Sequence, residues 1–378
     1  MEAPGARRPL VAVAMSGGVD SSVAAALCVE AGYEVFGVML RLWSEPGGGA
    51  ANKCCTLGAI DDARAVADRL AIPFSVLDAS EAFHERVVGP FLDEAAAGLT
   101  PNPCFTCNRR MRFGYLLDRA RALGADFLAT GHYARVGRAP DGRLRLRRGL
   151  DAAKDQSYVL YALDADQLAH ALFPVGGYEK AEVRRLARRF GLRVAARPDS
   201  VDLCWVGEGG LSGFLGRHLP PGAARPGPIL DPSGAQVGRH EGLPFYTLGQ
   251  RRGLGVALGA PAYVVGRDMV RNALCVGPAE ALGRRTVRVG RMHWTGGEPP
   301  PPGARLRVEA KVRYGGPSSA ATLWVRADRA ATVRFDAPVR APTAGQGLVA
   351  YVGDEVLGGG PIAPQRTARG RLPAAVDG

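Results

Sequence analysis

No run of about twenty apolar residues occurs in the chain, so no helix is expected to cross a membrane. The apolar stretch behind Arg7 and Arg8, residues 10–15, is too short for a secretory signal and runs straight into a glycine turn, which points to a cytoplasmic protein. Lysine is nearly missing: Lys53, Lys154, Lys180 and Lys311 are the only ones, so arginine supplies almost all of the positive charge behind a net +12. Arginine forks suit phosphates, and a basic balance suits a nucleic-acid partner; an arginine-biased composition with ordinary solvated faces explains the same count. Seven cysteines in 378 residues are too few for a disulfide framework in such a chain. No Gly-Lys-Ser/Thr follows the first glycine pair, which excludes a Walker A loop, and no fixed-period repeat is present. What remains is an ordinary globular composition, 47% hydrophobic and 22% charged, with length for two or three domains.

Ser16-Gly17-Gly18-Val19-Asp20-Ser21-Ser22 follows the apolar run 10–15 and opens a small-residue segment, which reads as strand, tight turn and helix. Two glycines free backbone N–H groups to point inward, the serines add hydroxyls, and the helix contributes its positive end. Together they form a cradle for a polyanion. Asp20 suits a magnesium-linked or phosphate-positioning role.

Strand-like segments at 10–15, 34–42, 73–77 and 127–130 alternate with helical patterns at 22–31, 56–70, 81–97 and 109–123. The alternation predicts an α/β class with a Rossmann-like doubly wound parallel sheet, whose ligands bind beyond the carboxyl ends of the strands. Residues 135–149 read as a hairpin turning at Asp141-Gly142, and 179–190 as a basic helix facing water or RNA. Around Gly209 glycine, proline and short β-like runs take over, and from 284 to 362 short alternating strands suggest a small β-barrel. The expected division is 1–208 catalytic, 209–280 a central β-rich domain, 281–363 the barrel and 364–378 a polar tail.

Of the cysteines, Cys28 and Cys275 fall in helix- and strand-like runs and read as core. Cys104 and Cys107 form a CxxC pair behind two prolines, at the start of the 109–123 helix and beside Arg109, Arg110 and Arg112. A helix N-terminus and arginines lower a thiol pKa and favour the thiolate that nucleophilic or metal chemistry needs. Cys204 lies far along the chain in Asp199-Ser200-Val201-Asp202-Leu203-Cys204-Trp205. Three readings stay open: a zinc site with a fourth ligand recruited from Cys54, Cys55 or His132; inert buried thiols; and sulfur chemistry between Cys107 and Cys204. Cys54 and Cys55 otherwise receive no role.

The series Ser16–Ser22, Thr100-Pro101-Asn102-Pro103 with Cys107-Asn108, Thr130-Gly131-His132-Tyr133-Ala134-Arg135, Lys154-Asp155-Gln156-Ser157-Tyr158 and Tyr246-Thr247-Leu248-Gly249-Gln250-Arg251 occurs in one order. That order resembles the tRNA-specific 2-thiouridylases, a family of the PP-loop ATP pyrophosphatases, over residues 10–362. The resemblance implies an enzyme that adenylates the wobble uridine of tRNA with ATP and magnesium and then inserts sulfur at carbon 2. It places ATP on Ala14, Met15, Ser16, Gly17, Gly18, Val19, Asp20 and Ser21, with Leu40 and Gly131 nearby. It makes Cys204 the persulfide carrier and Cys107 the nucleophile that frees the thiocarbonyl, leaving a Cys107–Cys204 disulfide. Asn102, Pro103 and Cys104 match the positions that touch the target base. His132, Lys154, Asp155, Gln156, Arg313, Tyr314 and Gln346 match the remaining tRNA-side positions. Implied partners are tRNAs for lysine, glutamate and glutamine, and a cysteine desulfurase or sulfur-relay protein.

Two positions depart from the family pattern. Many relatives carry Asp where this chain has Cys104, and Pro where it has Ala344. With Cys104, Cys107 and Cys204 the chain offers three thiolates, the number that would hold a 4Fe–4S cluster with one iron open, so a cluster route stands beside the persulfide route. Outside this family, another PP-loop amidotransferase or ligase, or a tRNA-binding adapter without catalysis, fits the phosphate loop but leaves the paired thiols unused.

Overall fold

The computed structural model describes residues 7–43, 45, 56–198, 203–207 and 209–364. Cys54, Cys55, the 199–202 stretch before Cys204 and the 365–378 tail lie outside these described residues.

The apolar run behind Pro9 forms strand β1 (Leu10–Ala14), whose three central residues are buried, and the Gly17-Gly18 turn releases it into helix α1 (Val19–Glu30). Strand β2 (Glu34–Arg41), helix α2 (Leu57–Leu70), strand β3 (Phe74–Asp78) and a helical rod α3 over residues 80–96 follow. Next come a second rod, α4, over residues 103–122 and strand β4 (Phe127–Thr130). A hairpin of β5 (Ala134–Arg138) and β6 (Leu144–Arg148), the short β7 (Ala171–Leu172) and helix α5 (Lys180–Arg189) complete the first half. Strands β3-β2-β1-β4-β7 make a parallel sheet in that order. Order reverses at β1, so the loops after β1 and β4 open a crevice at the carboxyl edge, where such sheets bind ligands. Two buried clusters flank the sheet, one built around Val11, Val13, Val23 and Met39, the other around Ala12, Phe113, Leu128 and Tyr158.

Rod α4 begins six residues before the expected start at 109. Pro103 takes the first helical position, where a missing N–H costs nothing, and the Asn102 side chain accepts from the Cys104 amide at 3.0 Å. From Cys107 to Leu116 the rod winds with the wider π-type register, a form rare overall that is frequent at functional sites. Cys104 and Cys107 therefore sit inside the first turns.

Helix α6 (Gly210–His218) leads to a four-stranded central sheet of β8 (Gly227–Leu230), β9 (Gln236–His240), β10 (Tyr263–Asp268) and β11 (Ala273–Gly277). The last part contains β12 (Gly283–Val289), β13 (His293–Trp294), β14 (Arg305–Lys311), β15 (Ser319–Val325), β16 (Ala331–Arg340), β17 (Gly347–Val352) and β18 (Glu355–Pro361). Alternating inward apolar residues of these strands fill a core with Val308, Leu323, Val333 and Leu348. The order β12-β16-β15-β14-β17-β18 closes on itself through the Val289–Ile362 bridge, which removes the exposed edges. The β5–β6 hairpin of the first half joins the same sheet, with Arg147 opposite Glu355. The first half of the chain and the barrel thus share backbone pairing, which the sequence pattern did not suggest.

Candidate active site

The turn after β1 is shaped by two close approaches. Gly17 has φ +69°, and a Cβ there would lie 2.4 Å from the Ala59 carbonyl oxygen in the first turn of α2. At Gly131, after β4, a Cβ would lie 2.5 Å from the Ser21 amide nitrogen, so only glycine lets the two loops cross. Ser21 Oγ accepts from the Ser16 amide at 3.2 Å and donates to the Gly18 carbonyl, and Ser22 Oγ donates to the same carbonyl at 2.8 Å. The serines therefore set the turn. Ala14 and Met15 end the strand beneath it: Ala14 packs on the sheet core, and the buried Met15 donates its amide to Val38 at 2.9 Å. Val19 is buried as the first residue of α1, and Leu40 is half-buried near the end of β2.

Asp20 stands in the first turn of α1, where the helix end favours its charge. Its carboxylate accepts from Tyr133 Oη at 2.7 Å and from Lys180 Nζ, 2.8 Å from each oxygen. Arg197 donates to the Gly17 carbonyl at 2.8 Å and pairs with Asp62, bracing the turn from below. Lys180, expected only on a basic helix facing water or RNA, is in fact a largely buried cation paired with Asp20 beside the glycine turn. The lysine shortage was its one signal in the sequence; Arg197 had none.

His132 follows Gly131. Its Nδ1 lies 2.7 Å from Thr130 Oγ1 and its ring packs against Phe113 and Phe173. Burial, aided by the Arg112 charge, pushes its pKa down to about 3, so near neutral pH it is an uncharged hydrogen-bonding group.

Arg112 joins this histidine to the thiols. It donates to Asn108 Oδ1 at 3.0 Å and lies 3.5 Å from Cys107 Sγ. Cys107 is buried in a cluster with Met111, Trp205 and Phe214, and Cys204 packs against that cluster. Trp205 anchors the Cys204 segment among Phe83, Phe91 and Phe214. The three thiols feel one another's charge, and no disulfide joins Cys104, Cys107 and Cys204. Among the described residues no three of His, Cys, Asp and Glu are grouped so as to hold a metal ion.

The expected low thiol pKa is overturned. Burial pushes Cys104 up to about 12 and Cys107 up to about 11; Arg112 pulls each of them back only in part. Arg109 and Arg110 are exposed on the outside of the rod and do not help. Desolvation thus outweighs the charges that sequence proximity suggested. Near neutral pH the Cys107 thiol is accordingly held protonated. Its alkylation by iodoacetamide, followed by mass spectrometry, is expected to rise about tenfold per pH unit from pH 7 to 10; a plateau near pH 8.5 would contradict this burial.

The residues that match the family's tRNA-side positions are spread over several segments. Gln156 Oε1 accepts from the Tyr133 amide at 3.0 Å and its side chain hydrogen-bonds Tyr314, a half-exposed ring 6.0 Å from Tyr158 and electrostatically coupled to Cys104. Asp155 is buried and accepts from the Gly149 and Ser157 amides, with Lys311 Nζ of the barrel 3.3 Å away. It is a bracket between the halves rather than a group open to RNA. Lys154 is half-buried on the preceding turn, and Arg313 is exposed beside Tyr314. Gln346 donates to the Thr100 carbonyl at 2.9 Å. Pro103 is buried and Asn102 serves as helix cap.

Family models match the chain in series: a tRNA methyl transferase HUP domain over residues 9–208, a tRNA methyl transferase PRC-barrel domain over 212–278 and an aminomethyltransferase beta-barrel domain over 284–362. The chain is similar to the tRNA-specific 2-thiouridylase MnmA of Moorella thermoacetica, 50% identical over 354 residues that cover 93% of this chain and 98% of that one. It is also similar to the proteins of that name from Heliobacterium modesticaldum, 46% identical over 93% of this chain and 92% of that one, and Roseiflexus castenholzii, 47% identical over 93% and 99%.

Proposed function

The chain belongs to the tRNA-specific 2-thiouridylase family, and from that premise we propose how its residues share out the ATP-dependent conversion of the tRNA wobble uridine to 2-thiouridine. The enzyme is a tRNA-uridine 2-sulfurtransferase of the PP-loop class that uses ATP with magnesium. The observation that carries the division of labour is Arg112, which acts on His132 beside the phosphate cradle and on Cys107 in the thiol cluster.

In the adenylation half the cradle 16–21, the end of α1 and Lys180 bind the phosphates, with Ala14, Met15, Leu40 and Gly131 around the nucleotide. Oxygen 2 of the uracil attacks the α-phosphorus and pyrophosphate leaves. Asp20, the acidic group at the cradle, suits the magnesium that accompanies ATP; that ion would neutralise phosphate charge. Lys180, held at Asp20, faces the leaving pyrophosphate, where a preorganised cation acts strongly.

In the transfer half a Cys204 persulfide attacks carbon 2 and expels AMP. The Cys107 thiolate then attacks the Cys204 sulfur, the S–S bond breaks toward the base, and the thiocarbonyl forms as Cys107 and Cys204 join in a disulfide. An external thiol must reduce that disulfide before the next round. Cys104, Asn102 and Pro103 shape the floor under the base, and Tyr314, Arg313, Gln156, Lys154 and His132 surround it. Cys107 and Cys204 lie within electrostatic range of one another, as the persulfide route requires.

On this reading residues 1–208 adenylate, 209–280 form the central part and 281–363 contact the tRNA. The barrel carries twelve basic against six acidic residues from 283 to 362, fitting a phosphate-bearing partner. Acceptors for lysine, glutamate and glutamine, a desulfurase or relay protein as donor, and a cytoplasmic location complete the proposal. The test incubates the enzyme with tRNA, ATP and a persulfide donor and measures 2-thiouridine and AMP by mass spectrometry. Equal amounts of both are expected; AMP formed without thiouridine would remove the sulfur-transfer assignment.

A further inference from the structure

Thr100 opens the loop that leads to Cys104 and Cys107, and each of its polar groups is taken by a distant part of the chain. Its amide donates to the Ala344 carbonyl at 2.8 Å, and its carbonyl accepts from Gln346 Nε2 at 2.9 Å, both from the barrel turn before β17. Its Oγ1 accepts from Arg267 Nη2 at 3.0 Å, from strand β10 of the central sheet. The turn is pressed close: Gly345 has φ +90°, and a Cβ there would lie 2.9 Å from the Thr100 amide nitrogen. On the other side Met269 reaches Gly98, two residues ahead, so tightly that a Cβ on Gly98 would lie 2.4 Å from its sulfur. The loop entrance is therefore held between two domains.

Arg267 is an unusual group for that position. Its Nη1 donates to the carbonyl of Tyr246 at 3.2 Å, the first residue of the Tyr246–Arg251 motif, which the adenylation and transfer steps leave unused. Burial draws its pKa below the ordinary range, and no carboxylate pairs with it among the described residues. The adjacent Asp268 is turned toward Arg271 and the 270–271 amides. A desolvated guanidinium held by neutral acceptors alone is costly as a purely structural element. Its five donors in a rigid fork make it suited to fixing two backbone segments at once.

On the sulfur-transfer reading of this site, we propose that Arg267 is a positioning residue for thiolation: with the Ala344–Gln346 turn it clasps Thr100 and so holds the Cys104–Cys107 turns in register with the target base and Cys204. The Tyr246 motif is then the footing that aims Arg267. Because Thr100 is bound by both accessory domains, tRNA seated across them steadies the catalytic loop.

Arg267→Ala and Thr100→Val test the clasp from its two sides, with Arg271→Ala, an exposed neighbour, as control. Each clasp variant is expected to lower kcat for thiouridine formation about 10- to 100-fold, the range for a small displacement of reacting groups. The KM for tRNA should stay within about threefold, and iodoacetamide labelling of Cys107 should become about tenfold faster as the loop loosens. The double variant should be no worse than the poorer single one, since both remove one contact. Arg267→Lys, which keeps one donor, should recover part of kcat; should Arg267→Ala not fold, Thr100→Val carries the test alone. Losses that multiply in the double variant, or unchanged kcat and labelling in folded variants, would overturn the clasp. Failure of the unaltered enzyme to make any thiouridine would instead strike the sulfur-transfer reading, and the labelling rates would still decide the clasp.

Discussion

Replacing Lys180 by methionine is expected to lower tRNA-dependent release of pyrophosphate about 100- to 1000-fold, the loss seen when one preorganised donor to developing charge is removed. Lys180 Nζ is within hydrogen-bond distance of both Asp20 oxygens, and its side chain is only 12% exposed. The pair is desolvated enough for its charges to matter, so deleting the cation leaves Asp20 with Tyr133 Oη and the start of α1. Part of the expected effect is thus on stability, and the two must be separated. Asp20→Asn in the same chain removes the orphaned charge, so the double variant should recover the melting temperature of the parent. Pyrophosphate release should stay low, because neither a cation for the leaving group nor a carboxylate for magnesium has been restored. Recovery of both quantities together would mean that Lys180 only neutralises Asp20 in the resting fold. The rate is to be followed by coupled pyrophosphate detection at saturating ATP and tRNA.

The difference between Lys180 and Asp20 shows what a linear sequence can carry. Asp20 was legible because its neighbours spell a strand, a glycine turn and a helix within seven residues, and local sterics dictate that geometry. Lys180, Arg197 and Arg267 meet their partners across separations of 160, 180 and 167 residues, and no periodicity marks such contacts. The parallel sheet was readable for the same local reason, from strand-length apolar runs spaced by amphipathic helices. The start of α4 was not, since two prolines suggest a stiff loop until Asn102 is seen capping the Cys104 amide. Nor was the sharing of one sheet by the β5–β6 hairpin and the barrel, which a single Arg147–Glu355 register position establishes. The thiol pKa values failed in an informative way: charge neighbours are visible in a sequence, whereas burial, which decided the sign here, belongs to the fold.

The second large effect concerns the sulfur itself. Cys107→Ser is expected to cut thiouridine formation by at least about 1000-fold, as loss of a catalytic nucleophile does, while ATP is still converted to pyrophosphate on the first turnover. On the proposed division the two steps use separate residues, since the glycine turn lies on β1, α1 and Gly131, whereas Cys107 sits in the cluster with Trp205 and Phe214. Cys204→Ser should give the same product loss, and in the unaltered enzyme one turnover without reductant should leave a Cys107–Cys204 cross-link in non-reducing peptide maps. Cys104→Ser separates the two sulfur routes. A cluster held by three thiolates loses a ligand in that variant as surely as in the other two, so thiolation would fall equally in all three. A persulfide passed from Cys204 and released by Cys107 needs Cys104 only for the shape of the floor beneath the base, so product should stay within about tenfold of the parent. Arg112 acts on Cys104 through its charge, whereas its Nη1 lies 3.5 Å from Cys107 Sγ. Burial keeps both thiols protonated, and Cys107 is the one whose sulfur Arg112 Nη1 approaches.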